Sequence, residues 1–287
     1  MLLLMWNGFF GFLPDQQYNS LMFRMHFGYK LDLDHPATMN EKIQWLKLYD
    51  HNPAYTDMVD KYKAKKLAAE RIGEDHIIPT LGVWERYEDI PFDSLPDQFV
   101  LKCTHDSGGI VICKSKEALD YKNAEKKIKK SLSNDFYKLS REWPYKNVPH
   151  RVICEPYLSD DEDTDQLTDY KIFCFDGKVG YILVCKNRFA GQIEYATYDR
   201  NWNKLHLSKV YEDHRVERPA NLDEMVKIAE KLAEDLAYVR IDLYNLNGKI
   251  YFGEWTFYSD GGFDTEMLPE KDLYYGEMID LSKIHKR

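Results

Sequence analysis

Near the C-terminus, Tyr238-Val-Arg-Ile-Asp-Leu-Tyr-Asn-Leu-Asn-Gly-Lys-Ile-Tyr-Phe-Gly-Glu-Trp255 reads as a hairpin carrying one arginine and two separated carboxylates. Strand alternation puts Val239, Ile241 and Leu243 on one face of the first arm and Arg240, Asp242 and Tyr244 on the other. Asn247-Gly248 marks the turn. A two-residue turn would send Asp242 and Glu254 to opposite faces, because cross-strand partners share a face and the side-chain period is two. A three-residue turn, Leu246-Asn247-Gly248 with the glycine left-handed, brings Arg240, Asp242, Phe252 and Glu254 to one face. In that register, hard carboxylate oxygens can hold a magnesium ion on a polyphosphate while the guanidinium offsets charge developing on a phosphoryl group. The competing reading is a solvated hairpin face with one surface ion pair.

A second group of residues suits the same chemistry. Phe99-Val-Leu-Lys-Cys-Thr-His-Asp-Ser-Gly-Gly-Ile-Val-Ile-Cys113 reads as two strands joined by Thr104-His-Asp-Ser-Gly-Gly109. Small residues there free backbone amides to converge on an anion, and Lys102 can reach the same phosphate. Most such turns only reverse a hairpin, but Lys102 before the turn and Lys114 after it favour the phosphate reading. Val152-Ile-Cys-Glu-Pro-Tyr-Leu158 is a buried strand ended by proline, a bend that suits a hinge between two lobes. In the hairpin that turns at Asp176-Gly177, Asp169 and Lys171 share a face and can pair on a ligand. The acidic run from Asp160 to Asp165 is a solvated loop, since the glycine and distal glutamate of a calcium loop are absent.

The elements that must position these groups can be traced along the chain. Thr38-Met-Asn-Glu41 has the form of a capping box before a helix from Ile43 to Tyr49. A second helix runs from about Thr56 to Ile72 and stops at Gly73, and its cluster Asp60-Lys61-Tyr-Lys-Ala-Lys-Lys66 is most simply a solvated face. Strands follow from Ile77 to Trp84, then a lysine-rich helix from Glu117 to Ser133. Asn221-Leu-Asp-Glu224 caps a helix whose Leu222, Met225, Ala229, Leu232, Ala233 and Leu236 form a core stripe.

The 287 residues can bury a large core in one composite domain or two joined lobes. Net charge is −9, from 39 Lys and Arg against 48 Asp and Glu, which argues against a general nucleic-acid binder. The five cysteines, Cys103, Cys113, Cys154, Cys174 and Cys185, sit in apolar runs without metal-type spacing and read as buried, reduced thiols of a cytosolic protein. The histidines show no HxxxH or HxH pair, so zinc has little support. Met1 to Leu13 is apolar but lacks a basic leader and cleavage site and is too short to span a bilayer. It reads as a docked or membrane-facing segment on a cytoplasmic body near the inner membrane surface.

Taken in order, these stretches resemble the ATP-grasp superfamily, and the chain resembles the TupA-like ATP-grasp family found with capsule and teichuronopeptide biosynthesis genes. Carrying the resemblance are Asn40-Glu-Lys-Ile-Gln-Trp-Leu46, Asp60-Lys61, Leu95 through Gly109, Asp169 through Gly177 and Arg240-Ile-Asp242. It implies an α+β fold in which two lobes with antiparallel sheets clamp ATP, preceded by a helical segment. The expected divisions are residues 1–75, 76–155 and 156–287. Lys61 and Lys102 would hold phosphates under the loop through Ser107, Gly108 and Gly109. Glu155 and Tyr157 fall at the adenine hinge, and Asp169 with Lys171 where ribose or adenine contacts lie. Asp242 and Glu254 would bind Mg²⁺, and Arg240 would stabilise the transferring γ-phosphoryl group. The third metal position, ordinarily an asparagine, is Thr256, whose hydroxyl is a weaker magnesium ligand. Beyond it the motif ends in Tyr258-Ser-Asp-Gly-Gly262 rather than a proline-glycine turn.

The implied reaction is ATP-dependent ligation through an acyl phosphate, joining an amine to a carboxylate with ATP and Mg²⁺. The family setting implies a saccharide partner, a uronic-acid carboxylate joined to an amino acid, in polysaccharide assembly at the membrane. Arg188 is the expected second phosphate or carboxylate contact. The rival readings are a glycosyltransferase using a sugar nucleotide, for which Asp160-Asp161 is poor support, and a nucleotide-binding module without catalysis.

Overall fold

The computed structural model describes residues 10–159, 167–186, 193–210 and 214–284. The chain builds two antiparallel sheets flanked by helices, an α+β architecture. The first sheet contains β1 (Gly82–Trp84), β2 (Phe99–Cys103), β3 (Ile110–Cys113) and β4 (Val152–Pro156) in the order β1-β4-β2-β3. The second contains β5 (Asp169–Phe175), β6 (Lys178–Lys186), β7 (Glu194–Tyr198), β8 (Lys204–Leu205), β9 (Tyr238–Leu246) and β10 (Lys249–Thr256) in the order β10-β9-β5-β6-β7-β8.

Apolar alternation explains the back of the larger sheet. Ile172, Ile182, Val239, Ile241 and Leu243 are all fully buried there. The helix Leu222–Leu232 lays Leu222, Met225, Ala229 and Leu232 against them, as its spacing foretells. The Trp255 indole locks this layer by donating to the Leu232 carbonyl at 3.0 Å. The Thr38 capping box forms, with Glu41 N–H donating to Thr38 Oγ1 at 3.2 Å and the Glu41 carboxylate accepting from Thr38 N–H at 3.1 Å. Its helix, Met39–Tyr49, docks on the C-terminal region, where Asn40 N–H donates to Asp272 at 2.9 Å and Lys42 to the Ile279 carbonyl at 2.8 Å. All five cysteines are buried and none is in a disulfide.

Four local expectations need correction. The helix expected from Thr56 to Ile72 is two helices, Ala54–Val59 and Lys63–Ile72, because the fully buried Asp60 carboxylate turns back to accept from Tyr62 N–H at 3.0 Å. The lysine-rich helix begins at Tyr121 instead of Glu117, capped by Asp120 accepting from Asn123 N–H at 2.9 Å. Asn221 does not cap its own helix. Its amide donates to the Gly248 carbonyl at 2.8 Å and accepts from Asn245 at 2.7 Å, tying the helix start to the hairpin tip.

The fourth correction concerns the hairpin register. Leu246 pairs with Lys249, so the turn is the two-residue Asn247-Gly248, with φ of 50° and 87°. Left uninterrupted, that register would separate the carboxylates, but a β-bulge between Phe252 and Glu254 shifts the pairing so that Glu254 faces Asp242 and Thr256 faces Arg240. Phe252 pairs with Leu243 and is buried in the core, not on the polar face. The bulge residue, Gly253, leaves no room for a side chain: a Cβ would lie 2.9 Å from the Asp242 carbonyl oxygen and 3.3 Å from the Tyr244 ring. Gly253→Ala is therefore expected to cost about 1–3 kcal/mol by forced backbone displacement. Denaturant unfolding measures it, and an unchanged midpoint would show that the bulge does not set the register.

Candidate functional site

On the polar face of the hairpin, Arg240 grips Asp242 with both arms of its fork, Nε to Oδ1 at 2.6 Å and Nη2 to Oδ2 at 2.9 Å. The same Nη2 donates to Thr256 Oγ1 at 3.0 Å and lies 3.6 Å from Glu254 Oε1. Lys171 on β5 stands opposite Asp242 in the sheet and bridges it to Asp169, with Nζ 2.6 Å from an oxygen of each. Burial alone would raise the Asp242 carboxyl, but Arg240 and Lys171 hold it below its ordinary range. Asp169 is pushed upward by burial and by Asp242. Burial works against the Lys171 ammonium, yet Asp242 and Asp169 keep its pKa above the usual lysine value. Glu254 differs from these groups, since its side chain is 37% exposed and its charged neighbours stand at 3.6 Å.

The smaller sheet supplies the facing wall. Lys61, set at the break between the two helices, donates to the Asp106 carbonyl at 2.6 Å and reaches to 3.6 Å from Glu254 Oε2. Lys102 on β2 and Lys65 on helix Lys63–Ile72 grip Glu155 from either side at 2.6 and 2.5 Å. Burial would raise the Glu155 carboxyl, but the two ammonium groups bring it down to about 2. The glycine-rich loop has an exposed tip at Ser107-Gly108 and a buried anchor at Gly109. Asp106 holds the anchor by accepting from Gly109 N–H at 3.2 Å and from the Ser131 hydroxyl. A side chain at position 109 would collide with Ser131 and come within 2.8 Å of Cys103 Sγ.

Between the sheets lies a narrow cavity of about 130 Å³. Its walls are apolar, from Val100, Ile110, Ile112 and Leu158, and its polar lining includes Lys102, Lys114, Glu155, Tyr157 and Asp169. An apolar slot that opens onto clustered ammonium groups can take a flat ring at one end and phosphates at the other. A larger hollow of about 830 Å³ between Asp176, Glu230 and Lys283 lies at the turn between β5 and β6. It holds none of these groups and is an open, ion-paired surface, so size alone does not mark the site.

The candidates from the sequence therefore fall into two linked sets. Arg240, Asp242, Glu254, Thr256, Asp169, Lys171 and Lys61 form one network, and Lys102 with Glu155 forms the other. The loop through Ser107, Gly108 and Gly109 is tied to the first set through the Asp106 carbonyl that Lys61 binds. Tyr157 lines the slot, while Arg188 and Asp160 to Asp165 lie outside the described residues. Four participants were not picked out. Lys65 belongs to a cluster that reads as a solvated face, and with Lys61 in the break before helix Lys63–Ile72 no helical spacing relates the two. Arg151 anchors the helix break by donating to Asp60 at 2.6 Å. Lys47 and Glu142, buried beside the hairpin network, had no local signal at all.

Comparison with known proteins gives a family. Among solved structures, the chain is similar to D-alanine–D-alanine ligase from Bacillus anthracis complexed with ATP, at 19% identity and a TM-score of 0.43, covering 79% of this chain and 63% of that one. It is similar to the same enzyme from Helicobacter pylori at 15% identity and a TM-score of 0.44, covering 85% and 70%. D-cycloserine synthetase DcsG follows at 14% identity and a TM-score of 0.45, covering 79% and 70%. The chain thus spans just under two thirds of the Bacillus anthracis ligase. No curated protein matches. A family model described as TupA-like ATPgrasp matches residues 41–280, which take in both sheets and all the residues of the cleft named above. The chain belongs to the TupA-like ATP-grasp family.

Proposed function

We propose that this protein is an ATP-dependent carboxylate–amine ligase that works through an acyl phosphate, with a uronic-acid carboxylate of a cell-surface saccharide as acceptor and an amino acid as amine. The observation that carries it is the convergence of Arg240, Lys171, Asp242 and Glu254 on one sheet with Lys102 on the other and Lys61 and Lys65 on the helix pair beside it. Adenine occupies the apolar slot, read by the backbone around Glu155 and Tyr157. The phosphates run toward Lys102, Lys61 and the amides of Ser107, Gly108 and Gly109.

The donor set suits magnesium. Asp242 and Glu254 supply hard oxygens, and magnesium ordinarily takes one or two carboxylates with the rest of its shell from water and nucleotide phosphates. Among the described residues no three carboxylate, histidine or cysteine groups could hold an ion by themselves. When bound, magnesium would neutralise phosphate charge and orient the γ-phosphoryl group for in-line attack. Arg240 stabilises charge on that group, and Lys171 holds Asp242 and Asp169 in place. The acceptor carboxylate attacks the γ-phosphorus and ADP leaves. Lobe closure excludes the water that would hydrolyse the acyl phosphate. Buried thiols and a need for ATP fit a reducing, cytoplasmic compartment.

Isothermal titration with ATP, ADP and UDP-sugars, with and without Mg²⁺, tests the nucleotide. Binding of adenine nucleotides and not UDP-sugars is expected, and the reverse pattern would make the protein a glycosyltransferase. ADP release that needs both a uronic acid and an amino acid then separates a ligase from a non-catalytic binding module. The Thr256 hydroxyl, engaged by Arg240, is the feature that favours the module if no such release occurs.

A further inference from the structure

The turn that leads into helix Asp15–Phe27 presents an aromatic ring to solvent. Phe12 is 77% exposed, more than any other large apolar side chain among the described residues. The backbone on either side of it is fastened. Leu13 N–H donates to the Phe10 carbonyl at 3.0 Å, and the Arg141 guanidinium donates to the Gly11 carbonyl at 2.8 Å and to the Asp15 carboxylate at 2.7 Å. Tyr137 donates to the other Asp15 oxygen at 2.6 Å, and Tyr18 donates to the Leu139 carbonyl at 3.0 Å. Arg141 is itself buried and left-handed, with φ of 56°, a conformation that arginine keeps only where surrounding contacts fix it. Phe12 is therefore not exposed by fraying. Contacts from a segment 130 positions away hold it out.

The segment that does the fastening is basic. Residues 121–150 carry eight Lys and Arg against three Asp and Glu, a surplus of five positive charges in a chain whose net charge is −9. Lys146 lies over the Tyr137 ring, 5.2 Å from its centroid, and Lys138 follows that tyrosine directly; both lysines are exposed. Asp135, 3.1 Å from Lys138, offsets part of this charge. On helix Tyr121–Leu132, Lys126 and Lys130 lie on the outer face, opposite the buried Ile128, with no ion-pair partner among the described residues. An exposed aromatic ring beside an excess of ammonium groups fits an anionic bilayer, where the ring enters the interface and the lysines stay with the headgroups. A second copy of the chain fits less well, because an isologous contact through Phe12 would bring the two sets of lysines together. A nucleic acid would engage the lysines but not the aliphatic run before the helix, where ten of the residues from Met1 to Leu13 are apolar.

We propose that Phe12, with Lys138 and Lys146, docks this protein on an anionic lipid bilayer. The apolar and the electrostatic contributions are of similar order, and stable attachment to a bilayer ordinarily takes two such signals together. The inference is independent of the ligase reading, since none of the three side chains lines the slot between the sheets.

Sedimentation with vesicles of phosphatidylcholine, with and without phosphatidylglycerol, tests the surface at several salt concentrations. The wild type is expected to bind the mixed vesicles and to leave them as salt rises, since attraction to the headgroups is screened. Phe12→Ser is expected to weaken that binding by about tenfold or more, and Lys138→Gln/Lys146→Gln by a similar factor with a shallower salt dependence. All three side chains are exposed, so both variants are expected to melt with the wild type. Should either fail to fold, the two vesicle compositions and the salt series on the wild type decide. Absence of binding to the mixed vesicles would overturn the surface, as would equal binding of Phe12→Ser, or wild-type binding to neutral vesicles that salt leaves unchanged. A dimer that Phe12→Ser dissociates, in a protein that no vesicle retains, would assign the ring to a second copy instead.

Discussion

Asp242→Asn is expected to destabilise the protein by about 3–5 kcal/mol and to abolish stabilisation by MgATP. Asparagine keeps the shape but removes the charge that Arg240 and Lys171 share, and Asp242 is only 3% exposed, so water cannot take its place. Asp169 limits the damage. Burial and the neighbouring Asp242 charge push its carboxyl upward, so losing Asp242 lets it ionise more readily and serve as the remaining counter-ion of Lys171. The loss should therefore sit near the lower end, a fall in melting temperature on the order of 10 °C. A second consequence follows from the sign of the Asp242 shift. A carboxyl held below its unfolded pKa adds stability above that pKa and loses it as pH falls through the folded value, so wild type and variant should converge in acid. Thermal melts with and without MgATP across pH measure all three effects. A variant that melts with the wild type at neutral pH, or that MgATP stabilises equally, would remove Asp242 from the metal site.

The same residues show what can be read from a sequence and what cannot. Arg240, Asp242 and Glu254 were legible because residue type and strand alternation are local properties. Their register was not, because counting through Asn247-Gly248 cannot reveal that Gly253 bulges; the expected three-residue turn reached the right carboxylate pairing by the wrong route and misplaced Phe252. The glycine loop was legible for its small residues, but its anchor on Ser131 lies on a helix 25 positions away from Asp106. Asp60 and Arg151 are 91 positions apart, and their contact holds in place the carboxylate that breaks the helical run where Lys61 turns into the cleft. Lys47 and Glu142 were not legible, because burial, and not residue type or spacing, is what sets them apart. The groups missed are those whose chemistry depends on what lies across the fold.

Glu155→Gln is expected to show what the lysines around Glu155 are for. Without a nucleotide, Lys65 and Lys102 face each other across the single carboxylate of Glu155, which stands where a phosphate oxygen could stand. Held at about 2 against an ordinary value of 4.5, that carboxyl contributes stability above pH 4.5 that is lost as pH falls toward 2. The shift corresponds to on the order of 3 kcal/mol. Glutamine leaves two half-buried ammonium groups with no counter-charge, so the nucleotide-free variant should melt well below wild type at neutral pH, and it should lose less stability than wild type as pH falls from 4.5 to 2. Addition of ADP in chelator should then raise the melting temperature of the variant by more than that of the wild type, because the phosphates replace the missing charge. In the wild type the same phosphates must compete with Glu155 for Lys65 and Lys102. Equal shifts in the two proteins would mean that the phosphates never reach Lys65 and Lys102, and that Lys61 and the glycine loop hold them alone.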